Sequence, residues 1–389
     1  MILAGARVAT SATRTSRLDL LVRQGQVFFS RHEISPEGEI DLSGFLILPG
    51  LINAHDHLEL NLFPRLGRGP YPNATAWADD IYRPDEAPVK QHLGVPKRVR
   101  LFWGGMKNLL SGVTTVAQHN PYHPDVFDEG FPIRVVKHYS WAHSLRFSND
   151  WQYRYRQRPA GAPFIIHAAE GLDEDARREI YQLDAASALG RSTVVVHGVA
   201  LRREELMLVR KRGASLIWCP SSNDFTLGRT LSEAAFSSGV PIALGTDSAL
   251  TAEGDLTDEL RRASQVIDPV RLYGMVTSGA ARVLCLGSAA GCIRNGGAAD
   301  LLVVPDRGQA PAEALLDLRP QLVIVNGHID LISETITERM RAASFSAYQV
   351  IEVEDRGRWL TPFNISGLID QARQALDGDL RLAGKAVIS

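Results

Sequence analysis

The sequence predicts an α/β protein in which parallel βα units form the body of the fold and a small β domain is built from both ends of the chain. Two observations support this prediction. Between residues 112 and 246, buried apolar runs alternate with helical segments, as in parallel sheets covered on both faces. On either side of this region, at residues 6–48 and 300–327, the chain instead contains short strands separated by glycine and polar residues.

The predicted β domain begins with strands at residues 6–9, 18–22, 26–29 and 45–48. A few short strands are not stable alone, so they need partners from elsewhere in the chain. Matching strands are predicted late in the sequence, at residues 300–305 and 322–327. We therefore predict a discontinuous accessory β domain from residues 1–47 and 296–330, a βα domain at 48–295, and a helical C-terminal extension at 331–389.

The βα domain is predicted from seven strands and two well-marked helices. The strands are expected at residues 48–57, 112–117, 131–139, 164–168, 192–197, 214–219 and 241–246. The helices are expected at residues 96–110 and 201–212, each with a glycine just beyond its end, where helices commonly stop. The long polar and aromatic segment 58–91 has no clear period. Directly after a barrel strand, such a segment is typical of an active-site cover.

Composition favours a small-molecule enzyme over a nucleic-acid or membrane protein. Of 389 residues, 45% are hydrophobic and 22% are charged, and the formal charge is −2, so no basic surface for nucleic acid or anionic lipid is indicated. Three unpatterned cysteines argue against a disulfide framework, and neither a signal peptide nor an 18-residue apolar span is present in the sequence. We expect a cytoplasmic protein with a small-molecule substrate, and homo-oligomerisation is left open.

The candidate site begins with His55 and His57, which follow an aliphatic run. In an extended strand, residues i and i+2 point to the same side, so the two imidazoles converge. This arrangement suits a pair of metal ligands at the carboxyl end of a buried strand. The alternative is a chance His-x-His sequence in a loop.

Three further predicted strands end in a side chain that can bind a metal. His167 and His197 each follow three apolar residues, and Asp247 ends the strand predicted at 241–246. In a parallel barrel the carboxyl ends of the strands face one mouth, where active sites form. Any one of these residues could be an ordinary loop residue, but the repetition of the pattern argues against coincidence.

At these motifs the chain resembles the amidohydrolase superfamily, and within it the branch that contains cytosine deaminase and the triazine hydrolases. The motifs that carry the resemblance are PGLINAHDH at residues 49–57, GVTTV at 112–116, HAAE at 167–170, HGVAL at 197–201, CPSSN at 219–223, GTDS at 245–248 and GAADL at 297–301. Each is weakly specific alone, but together, in the family's order, they cover most of the chain.

The resemblance implies a TIM-like (β/α)8 barrel with a β sandwich beside it. It implies one divalent metal, Zn²⁺ or alternatively Fe²⁺, with His55, His57, His167 and Asp247 as ligands. Glu170 matches the family's proton shuttle, and His197 matches the histidine that assists the substrate and the transition state. The implied reaction is deamination of a purine, pyrimidine, triazine or related cyclic amidine.

The chemistry of these residue types agrees with that implication. Three neutral imidazoles and a carboxylate leave a position open for water, whose pKa falls from 15.7 to about 7 on zinc, so hydroxide is available at neutral pH. Asp247 can accept a proton, and Glu170 can protonate a ring nitrogen and then the leaving group. His197 can stabilise the developing charge. The alternative for Glu170 is a carboxylate in the first turn of a helix.

Four other polar residues are candidate substrate contacts, namely Glu59, Asn61, His119 and Asn223. Each could instead be a hydrogen-bond partner that orients the metal ligands from behind. The sequence alone leaves these two roles open.

One departure from the family pattern leaves a rival mechanism open. The segment between residues 117 and 164 is short for two complete βα units, which leaves room for an abridged barrel. If residues 131–139 form the fourth strand, Lys137 could be a carboxylated lysine that bridges two metals, an arrangement suited to hydrolysis of cyclic amides, dipeptides or phosphoesters. A third alternative is a non-catalytic binding protein on the same fold, although every expected ligand is present.

Overall fold

The computed structural model describes residues 1–30, 38–340 and 345–388. Its N-terminal strands are β1 (Ile2–Ala4), β2 (Arg7–Ala9), β3 (Thr15–Arg17), β4 (Asp19–Arg23), β5 (Gln26–Ser30), β6 (Glu39–Asp41) and β7 (Phe45–Pro49). The central strands are β8 (Leu51–Asp56), β9 (Val113–Gln118), β10 (Arg134–Val135), β11 (Ser140–Ser144), β12 (Phe164–Ala168), β13 (Thr193–His197), β14 (Ser215–Trp218) and β15 (Ile242–Leu244). The C-terminal strands are β16 (Gly297–Ala298), β17 (Leu301–Pro305), β18 (Leu322–Val325), β19 (His328–Ser333), β20 (Gln349–Val353), β21 (Gly357–Thr361), β22 (Arg381–Leu382) and β23 (Lys385–Ile388).

The helices lie mainly between the central strands. They are α1 (Ala74–Ile81), α2 (Val89–Gly94), α3 (Lys97–Leu110), α4 (Trp151–Arg156), α5 (Glu174–Ala185), α6 (Arg203–Arg212), α7 (Pro220–Leu227), α8 (Glu233–Ser237), α9 (Leu256–Ala263), α10 (Pro269–Met275), α11 (Ser278–Val283), α12 (Pro311–Ala314), α13 (Glu334–Thr337) and α14 (Ile365–Arg373). Within the described residues, every helix is too short or too polar to cross a membrane.

The central strands form two all-parallel sheets, with strand orders β10-β9-β8 and β11-β12-β13-β14-β15. Parallel strands alternating with helices are the arrangement of a TIM-barrel-like α/β fold. Side chains from both sheets meet in one buried cluster, whose strand members include Ile52, Ala54, Ala117, Ile165, Val194, Val196, Ile217 and Ala243. The two sheets therefore share an interior.

The strand β12 illustrates why these segments are strands. All five of its residues are buried, as expected for a strand with packing on both faces. Ile165 points into the shared interior cluster, whereas Ile166 belongs to the larger core that includes the surrounding helices. Because side chains alternate along a strand, His167 points to the same side as Ile165.

The two ends of the chain pair with each other, beside the parallel sheets. The strand β7 is antiparallel to β17, with Leu46 opposite Val304, and β16 is antiparallel to β5. One sheet has the order β16-β5-β4-β1-β6, and a second has the order β22-β23-β20-β21-β19-β18-β17-β7-β2-β3. This pairing supplies the partners that the short N-terminal strands need.

The segment between β9 and β12 differs from the sequence expectation. The predicted strand at residues 131–139 is wrong in extent, since only Arg134–Val135 form β10. Pro132 has no N–H to donate to a ladder, and Lys137 is exposed. The unpredicted strand β11 follows, and its ladder with β12 shifts register between Ala142 and Ser144. This side is therefore short and irregular, as the spacing between residues 117 and 164 suggested.

The C-terminal extension also differs from expectation, because its predicted helical character is limited to α13 and α14. Most of the regular structure after residue 331 consists of strands that extend the second accessory sheet. In β20, the buried positions Ile351 and Val353 alternate with more exposed ones, so the strand has only a short apolar pattern. Five residues with two buried positions give only a weak strand signal.

The predicted cover segment at residues 58–91 is partly helical. It contains α1, whose N-cap residue Asn73 accepts a hydrogen bond from the backbone N–H of Ala76 at 2.9 Å. The backbone N–H of Ala74 donates to the carbonyl oxygen of Glu170 at 3.0 Å. The cover is thus attached to the loop that follows β12.

Candidate active site

Five polar side chains from four strand ends lie together at one edge of the parallel strands. They are His55 from β8, His57 from the residue directly after β8, His167 from β12, His197 from β13 and Asp247 from the segment after β15. All five are buried. Carboxyl ends of parallel strands lie at the same edge, which brings residues distant in sequence into one cluster. The polar strand-end pattern therefore predicted a real spatial cluster.

The spacing of these side chains fits a metal site. The Nε2 atoms of His55 and His167 are 3.2 Å apart, and Asp247 Oδ1 lies 3.9 Å from His55 Nε2 and 3.7 Å from His57 Nε2. Ligand atoms bound tetrahedrally to Zn²⁺ at about 2.0–2.1 Å stand about 3.3 Å from one another. His197 is also close enough to join His55 and His167 in a three-histidine group. His55 is shared by two groups of three ligand atoms that lie within 4.8 Å of one another, one with His57 and Asp247 and the other with His167 and His197, and either spacing suits a divalent ion.

Electrostatics also favour metal binding by these histidines. Burial lowers the pKa of His55 and of His167 well below the usual value, and neighbouring imidazoles, His119 first among them, lower both pKa values further. Both rings are therefore neutral and offer a lone pair. The Nε2 atom of His55 is the one that faces the cluster, 3.2 Å from His167 Nε2. A dense cluster of neutral imidazoles of this kind is well suited to a cation.

Hydrogen bonds behind the cluster orient the rings. His167 Nδ1 lies 2.7 Å from the carbonyl oxygen of His143, and His197 Nδ1 lies 2.7 Å from Asn223 Oδ1. A more distant contact of 3.4 Å joins His57 Nδ1 to Asn120 Oδ1. Because each oxygen only accepts, Nδ1 carries the proton and Nε2 faces the site with its lone pair.

Asp247 is held as a carboxylate in an unusual backbone conformation. Its φ of 58° lies in the left-handed region, which residues other than glycine rarely adopt. Ser222 Oγ donates to Oδ2 at 2.6 Å, and the backbone N–H of Ser248 donates to Oδ1 at 2.7 Å. Burial acts to raise the pKa of Asp247, but His57, His197 and these hydrogen bonds hold it below its usual value. An ionised Asp247 can both bind a cation and accept a proton.

Glu170 lies at the mouth of the cluster and differs in charge state from Asp247. Its Oε1 is 3.5 Å from His197 Nε2, and its side chain is 16% exposed. Burial, and secondly the charge of Asp247, raise the pKa of Glu170 well above its usual value. Helix α5 begins only at Glu174, so Glu170 is not in a first helical turn. Two carboxyl groups with opposite pKa shifts suit acid and base roles.

The cluster opens into a cavity of about 990 Å³. His57, His167, Glu170, His197 and Asp247 line its floor. Its walls carry the aromatic residues Trp77, Tyr82 and Phe147, the acidic residues Glu59, Asp79, Asp173, Asp175 and Glu179, and Arg146. A larger cavity of about 1320 Å³ lies elsewhere and contains none of the floor residues. The smaller cavity is therefore the candidate active site.

Of the four predicted substrate contacts, one lines the cavity and three lie behind its wall. Glu59 lines the cavity, where its Oε2 is 3.9 Å from Lys97 Nζ and 4.0 Å from His123 Nε2. The other three lie behind the wall and are bonded to protein atoms. Asn61 donates to Asp56 at 2.7 Å, His119 Nε2 is 3.0 Å from the Ala142 carbonyl, and Asn223 holds His197. Asn61, His119 and Asn223 therefore lie where hydrogen-bond partners of the metal-binding segment would lie, and not where a substrate would contact them.

Lys137 lies apart from the histidine cluster. It is exposed and lines the larger cavity, whereas the histidines line the smaller one. The placement counts against a bridging role for this lysine.

Two residues near the rings were missed by sequence reasoning. Asn120 follows the end of β9, so the strand-end pattern that indicated His119 could have found it. His143 belongs to the unpredicted β11, and its ring centroid is 5.0 Å from that of His167. No sequence signal marked β11 as a strand.

Comparisons with known proteins agree with this geometry. The model of the amidohydrolase family matches residues 157–329, which confirms the predicted resemblance. The 5-methylthioadenosine/S-adenosylhomocysteine deaminase of Halobacterium salinarum is 25% identical, over 92% of this chain and 94% of its own. The protein of the same name from Syntrophobacter fumaroxidans is 27% identical, over 69% of this chain and 74% of its own.

Solved structures resemble the whole fold. Atrazine chlorohydrolase from Arthrobacter aurescens, complexed with zinc, aligns with a TM-score of 0.65 and 18% identity, over 96% of this chain and 99% of its own. An adenosine deaminase from Xanthomonas campestris with bound zinc aligns with a TM-score of 0.67 and 17% identity, over 96% of this chain and 97% of its own. At this identity the likeness establishes the TIM-barrel-like α/β fold.

Proposed function

We propose that this amidohydrolase-like chain is a metal-dependent hydrolase that adds water to an sp² carbon of a heterocyclic substrate and releases ammonia. The observation that carries the proposal is the position of Glu170. Its carboxyl group, with a raised pKa, lies beside His197 at the floor of the cavity that also contains the His/Asp cluster. Deaminase names among the relatives support the same reaction.

In the proposed site, His55, His57, His167 and Asp247 hold one divalent cation, for which zinc is the first choice and iron the alternative. Zinc in the two structural relatives supports this choice. A bound divalent ion would supply Lewis-acid chemistry and lower the pKa of a coordinated water. The chain's part is to keep the imidazoles neutral and the carboxylate ionised.

The protein residues then move protons at defined atoms. Asp247 accepts a proton from the attacking water, because its carboxylate is ionised and lies in the cluster. Glu170 donates its proton to a ring nitrogen of the substrate and becomes a carboxylate. As the C–N bond breaks, this carboxylate takes the remaining proton of the added hydroxyl group and delivers it to the departing amine, and the proton held by Asp247 afterwards restores Glu170. His197, whose Nδ1–H is held by Asn223, presents the lone pair of Nε2 and accepts a hydrogen bond from the hydroxyl group added to the ring.

We propose a nucleoside-sized substrate rather than a free base. A cavity of about 990 Å³ is at the upper end of the roughly 300–1,000 Å³ typical of ligand pockets, far more than a single heterocycle requires. Trp77 and Phe147 offer apolar surface for a substituent. The walls carry acidic side chains against one arginine, Arg146, which disfavours a phosphate group. Thioether nucleosides, named in the curated relatives, fit this description.

We also propose that the two parallel sheets close into an abridged (β/α)8 barrel over residues 48–295, with a β sandwich from residues 1–47 and 296–330 and an extension at 331–389. Support comes from the shared interior cluster and from the backbone N–H of Thr246, which donates to the His55 carbonyl at 3.0 Å, between β15 and β8. A crystal structure in which the two sheets diverge would contradict this proposal.

The test is ammonia release from the zinc-loaded protein over a panel of free bases, nucleosides, thioether nucleosides, nucleoside monophosphates and aminotriazines. We expect the highest kcat/KM for an uncharged or thioether nucleoside and the lowest for its monophosphate. Glu170→Gln should keep its metal and lose at least about 10²-fold in kcat, since positioned acid/base groups contribute about 10²–10⁴-fold.

Three results would count against parts of this proposal. Full activity in Glu170→Gln would show that Glu170 is not the proton shuttle. Two metal equivalents per chain, reduced to one in Lys137→Ala, would favour the two-metal alternative despite the placement of Lys137 outside the cavity. A protein that neither binds a divalent ion nor releases ammonia from any panel member would favour the non-catalytic alternative.

A further inference from the structure

A cluster of polar side chains is buried directly behind the histidines. Lys107 and Asn108 come from the last turn of α3, Asn53 and Asp56 from β8, and Asn61 and Thr246 from the segments after β8 and β15. The side chain of Lys107 is 2% exposed and that of Asp56 is fully buried. Lys107 does not belong to the lining of the active-site cavity, which is formed by other residues. The cluster therefore lies behind the site rather than in it.

Asp56 is the acceptor at the centre of this cluster. Its carboxylate accepts hydrogen bonds from Asn61 Nδ2 at 2.7 Å and Asn108 Nδ2 at 2.8 Å. Thr246 Oγ1 lies 3.1 Å away, and its single proton is shared between Asp56 and the Asp247 carbonyl oxygen. The Nζ of Lys107 lies 3.6 Å from Asp56 Oδ2. Opposite charges thus compensate each other in the interior, and the remaining oxygen lone pairs are occupied by amides and a hydroxyl.

The ammonium of Lys107 connects this cluster to the metal-binding segment. Its Nζ donates to Asn61 Oδ1 at 2.8 Å and lies 3.4 Å from both Thr246 Oγ1 and the backbone carbonyl oxygen of Asp247. Thr246 Oγ1 is itself 3.0 Å from the same carbonyl. Two polar groups therefore converge on the backbone of Asp247, the residue with the left-handed conformation.

The cluster lies at the junction between β8 and β15. Backbone N–H groups of Thr246 and Asp247 donate to the His55 carbonyl at 3.0 and 3.1 Å. Asn53 Oδ1 lies within 3.3 Å of the backbone nitrogens of both His55 and Thr246. The junction that joins the His55/His57 pair to Asp247 is thus fixed largely by polar side chains.

Stability alone does not account for this arrangement. Burial of a lysine and an aspartate carries a large desolvation cost, and well-packed apolar replacements of both are often neutral or stabilising. A left-handed Asp247, in contrast, must be held by its surroundings. A rigid charged pair beneath its carbonyl supplies that support.

We propose that Lys107, neutralised by Asp56, is a positioning residue that fixes the Asp247 backbone relative to His55 and His57. The inference rests on the proposed function, because it assigns the ligand role to Asp247. Lys107 touches neither substrate nor metal in this role. It sets the distance between ligands supplied by β8 and by the segment after β15, and so sets the affinity of the site.

The test is the double variant Asp56→Asn/Lys107→Met, which removes both buried charges together and so avoids an unpaired one. Zinc affinity is measured by chelator competition, thermal unfolding is measured without metal, and kcat and KM are measured with zinc in excess. We expect a Tm near that of the wild type, zinc affinity lower by about 10- to 100-fold, and a fall in kcat with little change in KM, as for changes behind metal ligands.

Two further variants keep the test decisive. Thr246→Val removes one contact to the Asp247 carbonyl without altering charge, and it should lower zinc affinity in the same direction by a smaller factor, even if the double variant does not fold. Arg356→Met is the control, because Arg356 also belongs to a buried ion pair, with 3.1 Å between its Nη2 and Asp255 Oδ2. Neither residue of this pair lines the active-site cavity. Arg356→Met should lower Tm and leave zinc affinity unchanged.

The outcomes separate this inference from the proposed function. If the folded double variant and Thr246→Val bind zinc and turn over substrate as the wild type does, the positioning role is wrong while the proposed function stands. If the wild type binds no divalent ion, both are wrong. Loss of zinc affinity in Arg356→Met as well would mean that any buried pair has this effect, which would also overturn the specific role of Lys107.

Discussion

The two sides of the parallel-strand region differ in regularity, and they contribute differently to the site. From β12 to β15 the ladders are continuous, and this side supplies His167, Glu170, His197 and Asp247. From β9 to β11 one strand has two residues and another has a register shift. The irregular side supplies Asn120, His143 and Phe147 to the cavity wall. His55 and His57 are the exception, because they come from β8, whose ladder with β9 also shifts register. Apart from this pair, the regular strands fix the reacting groups, and the segment from β9 to β11 shapes the space above them.

The largest expected effect of this division is on metal binding. His167→Ala removes a proposed ligand from the regular side and should abolish both zinc binding and detectable turnover, a greater loss than the 10- to 100-fold typical of residues behind ligands. His143→Ala, on the irregular side, should keep full zinc occupancy, because its backbone carbonyl rather than its ring accepts from His167. Metal analysis after dialysis compares the two. Equal loss of zinc in both variants would contradict the division.

The second expected effect concerns the stability of the regular side. Glu259 on α9 is buried, and its Oε2 accepts from the backbone N–H of Ser221 at 3.0 Å, at the start of α7. Burial raises the pKa of Glu259 to about 7, although hydrogen bonds from Ser221 act to lower it. The next residues of α7, Ser222 and Asn223, hold Asp247 and His197. This carboxyl group therefore supports the helix that orients two site residues.

A raised folded-state pKa in an acid means that the folded protein prefers the protonated form. The contribution of protonated Glu259 to the stability of the folded state is fully present below the unfolded pKa of about 4.5, and it is lost as the pH rises through the folded pKa of about 7. The Glu259→Gln variant has no carboxylate to ionise in its buried site. Its free energy of unfolding, relative to that of the wild type, should therefore rise by up to roughly 3 kcal/mol between pH 4.5 and pH 8. Urea unfolding at both pH values measures the difference. A pH-independent difference would show that Glu259 does not titrate in this range.

The same division explains what the sequence could predict. Residues 164–166 and 194–196 are apolar runs, each followed directly by a histidine, so their strands and the ligand types His167 and His197 could be identified locally. In β11, Trp141 and His143 alternate with smaller residues and are only partly covered, so periodicity does not identify a buried strand. His143 reaches the site only because β11 pairs with β12, which is a tertiary contact.

Lys107 shows a different limit of sequence reasoning. The apolar positions Val99, Phe102, Met106 and Leu109 identify α3 as an amphipathic helix, and a lysine in its last turn is normally interpreted as a solvated residue that favours the helix dipole. In the fold this lysine is buried, because α3 packs against β9 and against residues 58–60, which follow β8, and its compensating charge, Asp56, comes from the end of β8. The pairing depends on two segments distant in sequence.

The third expected effect is on the orientation of His197. Asn223→Ala removes the oxygen that holds Nδ1 at 2.7 Å, and kcat should fall by about 10- to 100-fold with zinc retained. Ser221→Ala is the matched control in the same helical turn, since the hydrogen bonds of Ser221 go to Glu259 on α9 and not to His197. Steady-state kinetics on both variants provide the comparison. A fall in Ser221→Ala as large as that in Asn223→Ala would indicate general damage to α7.

The smallest expected effect is on substrate size selection by the irregular side. Phe147 is 47% exposed, lines the cavity wall and packs edge-on against the His143 ring at 5.4 Å between centroids. Phe147→Ala should raise KM for a nucleoside bearing an apolar substituent by about 3- to 10-fold, which corresponds to one partly buried apolar contact. The kcat value and the KM for an unsubstituted nucleoside should change little.

Tyr153→Ala is the control for Phe147→Ala, because Tyr153 is also an exposed aromatic residue of the irregular side but lies on α4, outside the cavity lining. Its kinetic constants should match those of the wild type for both substrates. If Phe147→Ala lowered kcat instead of raising KM, the irregular side would take part in the chemical step as well. The assignment of chemistry to regular strands and selectivity to irregular ones would then be wrong.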